Sequence, residues 1–144
     1  MSADDKFQIR NLTKGKLPRL PFNRAKKTIL GKNYDLSLVF TGNGLAKKLN
    51  KIYRSKDQPA NVLSFALDRQ TGEIFINLMK VKTANELALL FIHALLHLKG
   101  RQHSSKMESE EKKILSLIFH YDSPNFQRHR HRQSANENHG HRND

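Results

Sequence analysis

The chain contains no cysteine. Disulfides are therefore excluded, and any zinc centre has to be built from His, Asp or Glu. Long apolar runs are also missing. The most apolar stretch, residues 87–98, is 12 residues long and holds two histidines, too short and too polar to span a bilayer. Acidic residues are scarce, 13 against 26 Lys and Arg, which leaves a formal net charge of +13 on 144 residues. The N-terminal MSADDKFQIR has neither a basic leader nor an apolar core, so no secretory signal is predicted and a soluble, cytoplasmic protein is expected. What remains is one domain's worth of apolar material, 37% of the chain, in a strongly basic setting. Such a domain attracts polyanions, nucleic acid before anionic lipid.

The pattern along the chain predicts an α+β fold: a small mixed sheet of about four strands packed with helices. Strands are expected at 6–10, at 34–41 with Tyr34, Leu36, Leu38 and Phe40 on one face, at 62–67, and at 72–79 after the turn DRQTG. Helices are expected at 18–30 and at 45–53, the latter with Leu45, Leu49 and Ile52 on its inner stripe. Thr83 and Glu86 make a capping box, and Gly100 stands where that helix would end. A further helix runs from Ser105 to about Phe119 with Met107, Ile114 and Ile118 facing in. One domain is assigned to residues 1–123. Residues 124–144 are rich in Arg and His with almost no aliphatic side chain, and a disordered basic tail is expected there. Removing the tail's net +2 leaves +11 on the domain, so its basic character does not depend on the tail.

The helix after Thr83 is apolar on every side, which predicts a buried helix. His93 and His97 are its only polar side chains within 87–98, and their i, i+4 spacing puts both on one face. Burying two imidazoles without partners is costly, and a shared divalent cation satisfies both. Gly100 turns the chain back and His103 follows, placed to supply a third nitrogen. Three neutral imidazoles leave a fourth position open, as in catalytic rather than structural zinc sites. The plainer alternative is a pair of core histidines bonded to backbone, with His103 on the surface. The other histidines, at 120, 129, 131, 139 and 141, lie at or beyond the last helix and are expected to be solvated. The spacing of His93, His97, Gly100 and His103 also matches the metzincin protease pattern, but Ala94 stands where that family has its general-base Glu.

HALLHLKGRQH (93–103) resembles the signature H-G-x-L-H-L-x-G-x-D-H of the YbeY family of bacterial metal-dependent endoribonucleases. The resemblance continues in LNKIYRSKDQPANVLSF (49–65), GEIFIN (72–77) and KMESEEKKIL (106–115), and so covers about residues 34–119. It implies a single-strand-specific endoribonuclease with one zinc ion per chain, acting in 16S rRNA 3′ end maturation and late-stage ribosome quality control. RNA, and the ribosome or its proteins, would be the partners; no membrane and no small-molecule cofactor are expected. By the family's pattern His93, His97 and His103 are the zinc ligands and Arg54 is the functionally important arginine. The departures are Ala94 for Gly, Ala60-Asn61 for Thr-Asp, and Gln102 for the Asp before the third ligand, which together remove two acidic groups from the neighbourhood of the site. A zinc peptidase and a non-catalytic ribosome- or RNA-binding module are the alternatives from other classes.

Overall fold

The alternation at 34–40 becomes a central strand. In the computed structural model, which describes residues 6–100 and 105–120, β2 (Asp35–Thr41) buries Leu36, Leu38 and Phe40 completely on one side, with Tyr34 beside them. It lies between β1 (Phe7–Asn11) and β4 (Thr71–Asn77), parallel to both, while β3 (Val62–Asp68) pairs antiparallel with β4 at the edge. The order β1-β2-β4-β3 is the mixed four-stranded sheet expected. Register partners share a face, so Leu36, Leu38 and Phe40 stand level with Gly72, Ile74 and Ile76. This side receives the helices α1 (Phe22–Leu30), α3 (Ala84–Leu98) and α4 (Ser105–Ile114). Phe22 of α1 meets Phe40 and Phe91 with ring centroids 5.8 and 5.2 Å apart, joining sheet to helix.

α3 is the buried helix predicted, with Leu87, Ala88, Phe91, Ile92 and Leu95 inaccessible to solvent. Each fully buried Leu, Ile or Phe contributes about 1.5–3 kcal/mol, so this one helix dominates the core. Its N-terminus is capped as expected: Thr83 Oγ1 accepts from Glu86 N at 3.1 Å, and Glu86 reaches back to Lys82 N at 2.7 Å. At the other end Gly100 adopts φ 101°, a conformation open to glycine at little cost, and its N–H bonds the His97 carbonyl at 2.9 Å. Beyond α4 the chain continues as a π-helical segment, Leu115–His120.

Three expectations need correction. The first helix begins at Phe22 rather than Pro18, because Pro21 occupies the position just before it. The strand expected to reach Met79 ends at Asn77, whose side chain accepts from Met79 N at 3.0 Å and starts a 3-10 turn, Leu78–Lys80. Ile52 is not on an inner stripe. α2 (Asn43–Arg54) lies on the sheet face opposite α3 and buries Ala46 and Asn50, while every residue of its last turn, 51–54, is exposed. The apolar period continues into a turn that stays open to solvent, where Tyr53 meets the sheet only through the ring of Phe65 among the aromatic contacts of the described residues. Among the described residues no helix is long and apolar enough to cross a membrane. The proposed boundary at 123 and the tail 124–144 lie outside the described residues.

Candidate metal centre

His93 and His97 sit one turn apart near the C-terminal end of α3. His93 is buried and His97 half-buried, and their rings meet edge-to-face at a centroid distance of 4.5 Å. Their Nε2 atoms converge to 3.1 Å. His93 Nδ1 donates to a carboxylate oxygen of Glu111, a buried residue of α4. A carboxylate can only accept, so the proton of a neutral His93 sits on Nδ1 and its Nε2 presents a lone pair toward His97. Two imidazole nitrogens converging, one with its far side fixed by a buried carboxylate, is the donor arrangement of a divalent metal site. The residues present therefore fit such a cation. Among the described residues no third ligand joins the pair, and His103, the expected third, lies outside them.

Glu111 was not singled out from the sequence, although a signal existed. Met107, Glu111, Ile114 and Ile118 follow helical spacing, and all four are buried or half-buried. A carboxylate within an otherwise apolar stripe needs a partner inside the protein, and His93 is that partner.

The two histidines open into a cleft of about 830 Å³ that runs along the outer edge of β3. Arg54 lines the same cleft, so the structure brings the expected arginine and the histidine pair to one cavity. Two devices place it there. Ser55 ends α2 in the left-handed conformation (φ 57°), with its N–H on the Lys51 carbonyl at 3.1 Å. The segment that follows is then pinned from beneath: Asn50 Nδ2 donates to the Gln58 carbonyl at 2.8 Å, and Asn77 Nδ2 donates to Asn43 Oδ1 at 2.9 Å and to the Ala60 carbonyl at 3.3 Å. Asn50 and Asn77 are both buried, so these bonds hold the cleft wall at positions 58–61 in a fixed frame. Among the described lining residues the charged side chains, apart from the histidines, are Arg54, Lys56 and Lys80, and none is a carboxylate. Such a cavity selects anions. Ala94 also lines it, at the position where a metzincin would carry its proton acceptor.

The chain is similar to proteins of one family. The family model described as Endoribonuclease YbeY matches residues 3–118. Among curated relatives, proteins called Endoribonuclease YbeY are 33% identical over 108 residues in Neorickettsia sennetsu (61% of this chain, 76% of that one) and 35% over 109 in Listeria monocytogenes (56% and 66%). The one from Pelagibacter ubique is 31% identical over 121 residues, 69% of this chain and 79% of that protein. The aligned stretch thus spans about two thirds of the length of the Listeria protein. The solution structure of TM1509 from Thermotoga maritima superposes with a TM-score of 0.56 over 94% of this chain and 99% of that one, at 21% identity, which speaks for the fold alone. With the family model spanning nearly the whole of the described domain, the chain belongs to the endoribonuclease YbeY family.

Proposed function

We propose that this protein is a zinc-dependent endoribonuclease that cuts single-stranded RNA, with His93, His97 and His103 as ligands of one zinc ion and Arg54 as the residue that engages the scissile phosphate. The observation that carries this reading is a single cleft holding two convergent imidazoles, one backed by buried Glu111, in which the other charged side chains among the described lining residues are all cationic. The cation, when bound, supplies Lewis-acid stabilisation of charge on the phosphoryl oxygens. Glu111 keeps the proton of His93 on Nδ1 and the ring in its orientation. Arg54 offers a planar fork of N–H donors that matches two phosphoryl oxygens, and Lys56 and Lys80 attract the flanking phosphates. The lack of a carboxylate among the described lining residues, with Ala94 after the first histidine, counts against the peptidase alternative. Within the family's role, the substrate is ribosomal RNA in the cytoplasm, in 16S 3′ end maturation and ribosome quality control, with the ribosome as partner.

Glu111→Gln tests the metal assignment without emptying the core. It keeps the shape of the side chain and removes its charge, so zinc affinity should fall about 10- to 100-fold. Cleavage of a single-stranded RNA should fall with it at limiting zinc and recover as zinc is raised. Titration with a competing chelator reads the first effect and a cleavage assay the second. Unchanged zinc affinity in Glu111→Gln would remove the carboxylate from the site.

A further inference from the structure

The exposed last turn of α2 carries an aromatic side chain that the domain's own packing does not require. Tyr53, the neighbour of Arg54, is 62% exposed, and Ile52 before it is 59% exposed. Its ring lies 5.0 Å from that of Phe65, tilted by 56°, and Phe65 in turn packs edge-on against Phe75 at 5.9 Å. Phe65 is a cleft residue, lining the cavity that holds His93, His97 and Arg54. A row of three rings therefore leads from the sheet to the cleft, held at one end by β4 and open to solvent at the other.

We propose that Tyr53, braced by Phe65, is a base-stacking platform for the strand that the cleft binds. The inference rests on the RNA reading above and adds how the strand is recognised. Cationic side chains hold phosphates but do not distinguish a single strand from a duplex. An exposed ring does, because an unpaired base can swing out and stack on it whereas duplex bases are already stacked on one another. A tyrosine beside the phosphate-binding arginine meets both halves of a nucleotide, base and phosphate, without reading sequence. The lining charges decide the occupant. A protein partner for this apolar patch would have to accept the adjoining Arg54, Lys56 and Lys80, whereas a polynucleotide supplies their counter-charge.

The test is binding of a single-stranded 2′-O-methyl oligoribonucleotide, checked afterwards for intactness, to the full-length zinc-loaded protein at fixed salt. Tyr53→Ala should raise Kd about 5- to 100-fold, the range for loss of one stacked base. Tyr53→Phe should bind like wild type, and Tyr53→Leu should resemble the alanine variant. The slope of log Kd against log salt should not change, since no phosphate contact is lost, and affinity for a duplex of the same sequence should be unaffected. If Tyr53→Ala bound the single strand as tightly as wild type, or lost single strand and duplex equally, the platform would be refuted. Should wild type neither bind nor cut single-stranded RNA, the underlying RNA reading fails and the platform with it. If wild type cuts and Tyr53→Ala binds normally, the platform alone fails.

Discussion

Arg54→Ala should cleave single-stranded RNA about 10²-fold or more slowly than wild type, the scale of losing one preorganised electrostatic stabiliser, while keeping its zinc and most of its RNA affinity. Arg54 is an exposed residue at the end of α2, so its removal leaves no cavity and no buried partner stranded. Lys56 and Lys80 remain in the cleft to attract the strand. What is lost is specific to the transition state. Phosphodiester hydrolysis builds negative charge on the oxygens around phosphorus, and a guanidinium within the cleft gains more from that charge than from the ground state. Arg54→Lys should recover only part of the rate, because an ammonium cannot make the bidentate contact. Single-turnover cleavage at saturating protein separates the chemical step from binding. Wild-type single-turnover rates in Arg54→Ala would reduce Arg54 to one surface charge among many.

Gly72→Val should destabilise the domain more than any change in the cleft. Gly72 lies buried near the start of the interior strand β4, level with Leu36 of β2 and Ala66 of β3. A Cβ built there would fall within contact distance of the Tyr34 hydroxyl and 3.1 Å from both methyl carbons of Leu98. Leu98 is the last residue of α3, next to His97. Overpacking a well-packed core typically costs about 1–3 kcal/mol and occasionally more, and valine adds two methyls to the Cβ that already collides. The Tyr34 hydroxyl is buried with no hydrogen-bond partner among the described residues. Burial, with the Asp68 carboxylate adding to it, holds its pKa above the usual tyrosine value. Tyr34→Phe should therefore be tolerated and should relieve part of the damage of Gly72→Ala, a coupling that a double-mutant cycle by urea denaturation would measure. Additive effects of the two substitutions would mean that the tyrosine does not set the glycine requirement.

The periodicity at 34–40 and 84–98 made the central strand and the buried helix legible, because burial on one face or all faces leaves its imprint on local sequence. The histidine pair was legible for the same reason: two polar side chains in an apolar helix demand an explanation. Glu111 was harder to see, since its partner lies 18 residues away and the contact exists only once α3 and α4 pack together. Arg54 had no local signal at all and stood out only through the family resemblance. Its place in the cleft depends on Ser55 and on the bonds of Asn50 and Asn77, long-range arrangements with no periodic signature. The end of α2 misled for a complementary reason. Its apolar spacing continues into a last turn that stays open to solvent, so Ile52 and Tyr53 remain exposed although Tyr53 touches Phe65 of β3.

The most direct test of the central claim is zinc analysis of the untagged full-length chain beside its His97→Ala variant, with cleavage of a single-stranded RNA measured on the same samples. Both carry the same tail histidines, so any adventitious zinc on the tail cancels in the difference. A site built on His93 and His97 predicts that wild type holds about one zinc more per chain and that His97→Ala loses cleavage together with it. Equal zinc content and equal cleavage in the two proteins would contradict it.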